Sequence, residues 1–360
     1  MKRVIRIKYR LLRFFSKLLI VLLLLLILYN YIPIKKGDSS FYVPSSDIET
    51  VLSTLKTHGY SVLPVDRWIL HLMHTPPKGW YLLQDIPQTR FAFFDALRKN
   101  HDRIIGIKLY AGETSQELSK RLAHDLKLNF HKILKSYQKY SQFSEGDILA
   151  GYYHILKDLN EEETIKLLYR LSNEKLNHFM QHHTQTKIDK KHLKKLLIVA
   201  SIIQKETNDK EEMRLVASVI SNRLKKGMKL QMDGTLNYGK YAHTIVTHER
   251  IRDDNSSYNT YKHKGLPPAP LATVSIEALK AALSPAQTDY LFFMLTPSGK
   301  HHFATTYKEH LANIHAFREA QEAKKRKKSP TKVKKEKNHT PKKRDENQTK
   351  PQKAVIRLSE

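Results

Sequence analysis

The chain has 360 residues, 40% hydrophobic and 27% charged, which is enough length and apolar content for one large or two modest domains. It contains no cysteine, so a disulfide scaffold, a thiolate nucleophile and any cysteine-ligated zinc or iron–sulfur site are excluded. The net charge of +28 invites a nucleic-acid reading, but the excess sits in two flanks. Lys2, Arg3, Arg6, Lys8, Arg10, Arg13, Lys17, Lys35 and Lys36 form one, and residues 324–353, with 14 Lys/Arg against 3 Asp/Glu, form the other. The distal run carries no stacking aromatics, so no nucleic-acid partner is expected.

Residues 18–29 are unbroken apolar or aromatic, and the apolar character runs on to Ile34 past Asn30 and Pro33. This is at the short end of the roughly 17–25 residues that cross a bilayer. Seven basic residues precede the run without an acid. The positive-inside rule therefore predicts a cytoplasmic tail over 1–17, a transmembrane helix over 18–34, and the remainder outside the inner (cytoplasmic) membrane. No small-residue cleavage pattern follows, and Lys35-Lys36 reads as a stop flank, which favours an uncleaved single-pass anchor over a signal peptide.

Beyond residue 37 the composition becomes globular. Ser46-x-x-Glu49 has capping-box spacing, and Ile48, Val51, Leu52 and Leu55 recur at helical intervals, which predicts a helix over 47–58. The aromatic, Pro-containing stretch 60–84 reads as short strands or irregular structure. Ile105, Ile107 and Leu109 alternate as in a strand, Gly112 turns the chain, and Thr114-x-x-Glu117 opens a helix carrying Leu118, Leu122 and Leu126. Residues 130–190 read as mainly helical and polar, with a helix start at 161–164. There, His178 and His182 stand at i,i+4 spacing, more simply a solvated helix face than metal ligands because no third ligand is indicated. From 323 the tail is nearly devoid of apolar residues until 354 and is expected to be disordered.

The chemistry concentrates between 193 and 310. Leu193, Leu196, Leu197, Ala200 and Ile203 form one apolar helix face, and Glu206 follows on the last turn beside it. A carboxylate set against apolar side chains has its charged form disfavoured, so it can stay protonated near neutral pH and serve as a general acid. A second helix over 210–226 carries Met213, Val216, Ala217, Ile220 and Leu224 on one face, with Gly227 placed to end it. Gln231, Asp233, Thr235, Asn237 and Tyr238, then Ser257 to Tyr261, combine amide and hydroxyl groups with aromatic platforms that suit sugar hydroxyls, acetamido groups and ring faces. Gly265 to Pro268 reads as a rigid turn and 276–283 as a short helix. Residues 290–305 read as a β-hairpin, with His301 and His302 as strand residues on opposite faces and not as ligands.

This constellation resembles the endolytic murein transglycosylases, the YceG-like or MltG family. The matching stretches are ASIIQKET (200–207), VASVISNRL (216–224), KGMKLQMD (226–233), TLNYG (235–239), SYNTY (257–261), GLPP (265–268), LSPA (283–286), TDYLFF (288–293) and HFAT (302–305). Gln204 stands where the family commonly has a first glutamate, and Asp233-Gly234-Thr235 replaces its Asp-Pro-Thr. The resemblance implies an α+β architecture: a LysM-like lead-in module over 37–130, a helical connector over 131–190, a YceG-like catalytic core over 191–322 and the basic tail over 323–360. It also implies cleavage of the bond between N-acetylmuramic acid and N-acetylglucosamine in peptidoglycan, leaving 1,6-anhydro ends and ending strand growth. Glu206 maps onto the family's catalytic glutamate, with Gln231, Asp233, Tyr258 and Asn259 as candidates for holding the sugar. No metal or organic cofactor is implied; the partners expected are glycan strands, the membrane and cell-wall synthases. Two alternatives stay open: a hydrolytic muramidase pairing Glu206 with Asp233, and a non-catalytic membrane-tethered wall-binding scaffold.

Overall fold

A computed structural model describes residues 2–83, 87–100, 104–184 and 188–328. The chain is a mixed α+β protein that divides into two compact units, residues 1–197 with 269–276, and residues 198–268 with 277–360.

The first unit opens with α1 (Lys2–Asn30), a single helix that includes the basic flank. Within it Tyr9–Asn30 is long and apolar enough to cross a membrane. The helix stops at Asn30, so the last residues of the apolar run are not helical, and Ile34 is buried among globular side chains instead. Pro33, which has no N–H to continue the ladder, lies just past the break. Next come β1 (Ser40–Val43), α2 (Ile48–Thr57), α3 (Asp66–Met73), β2 (Gly79–Leu82) and α4 (Arg90–Asn100). Strands β1 and β2 pair antiparallel, Ser40 opposite Leu82. Phe41, Val51, Leu55, Tyr60, Ile69, Leu70, Tyr81, Phe93 and Leu97 fill a shared core. The cap of α2 is Asp47, whose carboxylate accepts from Thr50 N at 3.0 Å, and not the predicted Ser46, whose hydroxyl accepts from Lys78 N at 3.1 Å. A helix, α3, occupies the stretch read as strands or irregular structure.

A second core in this unit surrounds β3 (Ile104–Leu109) and β4 (Gly151–Leu156), with α5 (Ser115–Leu126), α6 (Phe130–Tyr140) and α7 (Glu161–His183). The capping box predicted at Thr114 and Glu117 forms, and a second one joins Asn160 to Glu163 at the start of α7. Strand β4 lies in the segment expected to be helical, and pairs antiparallel with β3, Leu109 opposite Gly151. The expected connector thus shares a core with the strand and helix before it. Returning residues 269–276 complete this unit: Gly112 N donates to Thr273 O, Thr273 N to Glu113 O and Ala150 N to Val274 O, each at 2.8 Å. On α7, His178 and His182 are exposed with ring centroids 4.6 Å apart.

The second unit begins within α8 (Lys190–Glu206) and continues through α9 (Lys210–Lys225), α10 (His248–Asp253), α11 (Ile276–Leu283), the antiparallel hairpin β5 (Phe292–Leu295) and β6 (His301–Ala304), and α12 (Tyr307–Lys328). Ala200 and Ile203 on α8 are buried, as are Met213, Val216, Ala217 and Ile220 on α9. Asp209 caps α9 by accepting from the amides of Glu211 and Glu212, and Gly227, at φ +63, ends it where a side chain would be strained. Helix α12 packs on the hairpin and passes the predicted tail boundary at 323; the expected disordered tail otherwise lies outside the described residues, from 329 on.

Candidate active site

Helix α8 ends at Glu206 beside its buried apolar stripe, so the carboxylate is half-buried in the lining of a cleft of about 360 Å³ in the second unit. Arg223, Leu230, Gln231, Met232, Asp233, Tyr261, Phe293, His301 and His310 are among the other lining residues. Gly234 N donates to Glu206 Oε1 at 2.9 Å, a bond that fixes one carboxylate oxygen. A side chain at Gly234 has no room. Its Cβ would lie 2.7 Å from Lys205 Cβ and 2.8 Å from Glu206 Oε1. A proline at 234 would have no N–H to donate, so glycine here permits both the approach and the bond.

Of the other expected site residues, the structure brings Gln231 and Asp233 to Glu206. Gln231 takes a left-handed backbone conformation, φ +49, and its side-chain oxygen accepts from Arg223 Nη1 at 3.2 Å. Asp233 is buried at the start of a short 3-10 turn, Asp233–Leu236, and its Oδ1 accepts from Tyr261 Oη at 2.6 Å. Tyr258 is not among the cleft-lining residues; its ring stacks on Tyr238 with centroids 4.3 Å apart. Asn259 is fully buried away from the cleft lining. Its amide donates to the carbonyls of Ile251 and Asp254, both at 2.8 Å, and its oxygen accepts from Tyr261 N at 3.0 Å. Asn259 therefore holds the loop that presents Tyr261, and its polar atoms are already engaged there.

Two lining groups, Arg223 and His310, were not singled out by sequence patterns, and His301, expected to be only a strand residue, also lines the cleft. Arg223 is buried, with Nε donating to Leu291 O at 2.6 Å and Nη1 to Leu230 O at 2.8 Å; burial lowers its pKa, with Tyr261 acting in the opposite sense. His301 N donates to Glu212 Oε1 at 2.8 Å, and its Nδ1 lies 2.7 Å from Glu212 Oε2. A carboxylate accepts only, so Nδ1 carries the hydrogen and Nε2 is the ring atom left to act on a ligand. Burial works to raise the pKa of Glu212, but the bonds from the His301 ring and amide, and from the Thr207 hydroxyl at 3.2 Å, hold it below the usual glutamate value. His310 is buried, with neither ring nitrogen hydrogen-bonded among the described residues; burial, then the nearby Arg223, depress its pKa. A signal for His301 lay in its position at the mouth of the hairpin, but its partner Glu212 is 89 residues away. Among the described residues no three His, Asp or Glu side chains gather as a metal ion would require.

The fold and cleft define an α+β protein with an N-terminal apolar helix and a cleft of mixed polar and apolar lining, in which a helix-end carboxylate, Glu206, accepts a backbone hydrogen bond. The family model for the YceG-like family matches residues 41–316, and the chain belongs to that family. Endolytic murein transglycosylases of Bacillus subtilis and Streptococcus pneumoniae (strain D39) are similar to it, at 37% identity over 42% of this chain and 42% of the relative, and 28% over 47% and 31% respectively. The chain thus matches less than half the length of these curated relatives. A solved YceG-like protein from Listeria monocytogenes is 22% identical, aligning over 77% of this chain and 99% of that one with a TM-score of 0.48.

Proposed function

We propose that this protein is a membrane-anchored lytic transglycosylase that cuts the β-1,4 bond between N-acetylmuramic acid and N-acetylglucosamine inside peptidoglycan glycan strands, leaving 1,6-anhydro ends. The observation that carries the reading is Glu206, held by the Gly234 amide in the lining of a cleft within the stretch that matches the family. The relatives bearing the transglycosylase name support the same substrate class.

In this mechanism protonated Glu206 gives its proton to the glycosidic oxygen. The C1–O bond breaks, and its electron pair leaves with the N-acetylglucosamine as a hydroxyl. Positive charge then develops at the muramic C1, and the C6 hydroxyl of the same sugar attacks it. The resulting carboxylate of Glu206 takes the C6 proton and returns to its starting state. No water is consumed, so one residue serves as acid and then base, where hydrolytic glycosidases need two carboxylates. The Gly234 N–H keeps the carboxylate aimed through both halves. Asp233, braced by Tyr261, and Gln231 hold the sugar, and His301, braced by Glu212, offers Nε2 to a substrate oxygen. The proposed organisation keeps the LysM-like lead-in over 37–130, the connector over 131–190 and the catalytic core over 191–322. The anchor, expected over 18–34, ends with α1 at Asn30, with the N-terminus in the cytoplasm and the cleft outside, where nascent strands and the synthases that extend them are within reach.

The test is mass spectrometry of glycan strands digested by the full chain in detergent, beside Glu206→Gln prepared identically. Internal fragments with 1,6-anhydro ends from the wild type alone are the expected result. Reducing ends would assign a hydrolase using Asp233, and glycan binding without products from either protein would assign the wall-binding scaffold.

A further inference from the structure

The end of α1 is fastened to the first unit by a short network. Tyr29 Oη donates to Asp66 Oδ1 at 2.9 Å, Phe91 N donates to Asn30 Oδ1 at 2.9 Å, and Arg90 Nη1 donates to Ile32 O at 3.3 Å. Asp66 and Arg90 form a fully buried ion pair. Asp66 is also the first residue of α3, so the first turn of α3 is pinned beside the last turn of α1, within about one helix diameter of about 10–12 Å.

Helix α3 has two apolar faces. Ile69 and Leu70 point into the core, whereas Trp68 and Leu72, with the N-cap residue Val65 at i, i+3 and i+7 spacing, point outward and are 71%, 73% and 40% exposed. Tyr31 and Ile32, just past the end of α1, are exposed as well. Helix α1 carries exposed apolar side chains from Leu11 to Leu28, and Tyr31 and Ile32 extend that run past its end. Lys35 and Lys36 are exposed just beyond it. The carboxylate of α3 is neutralised by Arg90, and its Arg67 pairs with Glu49, so no uncompensated negative charge on the helix would repel anionic head groups. An indole and aliphatic side chains on one face of a helix with basic flanks are the composition that lies in the head-group and acyl boundary.

We infer that α3 lies on the surface of the bilayer from which α1 emerges, with Val65, Trp68 and Leu72, joined by Tyr31 and Ile32, seated in the lipid interface. The inference rests on the membrane-anchored reading. It makes the first unit a peripheral membrane domain as well as an anchored one, and sets its orientation relative to the lipid plane.

The experiment uses the full chain reconstituted in vesicles of phosphatidylcholine and phosphatidylglycerol. The sequence has two tryptophans, so Trp80→Phe leaves Trp68 as the sole emitter. Lipids brominated on the upper part of the acyl chain should quench that emission about twofold or more, at the depth expected of an interfacial helix. A second protein, Leu22→Trp with Trp68→Phe and Trp80→Phe, reports on the anchor through lipids brominated near the bilayer centre. Quenching of both reporters supports the inference. A quenched residue 22 with water-like, unquenched Trp68 emission overturns it and leaves the anchor standing. Blue-shifted but unquenched Trp68 emission also overturns it, because a protein surface such as a second copy then covers the face. If neither reporter is quenched, the anchored reading and the inference fall together.

Discussion

Replacing Gly234 by alanine isolates the geometry on which Glu206 depends. Gly234 is not in the left-handed region, so alanine brings no backbone strain of its own, and the whole effect comes from what the added carbon meets. One obstacle is Glu206 Oε1, 2.8 Å away, and the other is Lys205 Cβ, 2.7 Å away, which is fixed to its helix and cannot rotate aside. Either the carboxylate leaves the Gly234 amide or the turn carrying that amide withdraws, and the 2.9 Å bond is lost in both cases. A hydrogen bond to a charged group is worth about 1.5–3 kcal/mol. At 1.36 kcal/mol per factor of ten, its loss from the reacting state lowers the rate about tenfold to a hundredfold. The assay is the initial rate of release of 1,6-anhydro fragments from purified glycan strands, with thermal melting to confirm that the variant is folded. Turnover equal to wild type in a folded Gly234→Ala protein would refute the reasoning, since the carbon cannot occupy that position without breaking the contact.

Three further outcomes concern stability. Glu212 is held below the usual glutamate pKa in the fold, so its contribution is present above its unfolded value near 4.5 and is lost as pH falls through the folded value. Glu212→Gln should therefore melt lower than wild type at neutral pH, with the gap closing in acid; a gap that stays constant would count against the His301 pairing. Burial pushes Lys175 down to about 8, with Nζ donating to Tyr152 O at 2.7 Å and lying 3.6 Å from the Tyr153 ring centre. A lysine depressed in this way destabilises the fold below its folded pKa, and the penalty is relieved as pH climbs toward the unfolded value. Lys175→Met should thus raise the melting temperature at neutral pH, with an advantage that shrinks above about pH 8 in melts across the alkaline range. Asp66→Asn leaves the Arg90 guanidinium buried without its counter-charge, at a cost of about 3–5 kcal/mol. Calorimetry should then show the first unit melting about 10 °C lower, and an unchanged transition would mean that the pair contributes little.

Local signals in the sequence were readable wherever period and cap agreed. The apolar stripe of α9, the Thr114–Glu117 box and the 292–304 hairpin all lie where spacing puts them, because each is specified by residues within a few positions of one another. The misreadings have a common cause in distant partners. Gly151 to Leu156 is a strand because β3 supplies its ladder from more than forty residues earlier, and no local periodicity could show this. Helix α3 escaped because its mixture of outward Trp68 and Leu72 with inward Ile69 and Leu70 blurs a single apolar stripe. Glu206 was legible as a carboxylate closing an apolar helix face. Its contact with Gly234 across 28 residues was not, nor was the engagement of Asn259 by two backbone carbonyls, which makes a polar residue of sugar-binding type into a loop brace.

The return of residues 269–276 to the first unit bears on the order in which the chain can fold as it is made. The turn after β3 and the entry to β4 have carbonyl and amide partners at Thr273 and Val274 that are synthesised only after α8, α9 and α10. Amino-terminal domains ordinarily fold first on the ribosome, but here that unit stays open at one edge until residue 276 has emerged. In chain order α9 and α10 of the second unit therefore fall between two stretches of the first, and a chain interrupted anywhere between 198 and 268 lacks the strip that closes it. Completion of the fold is in this way a report that the segment carrying Glu206, Asp233 and Tyr261 has already been made.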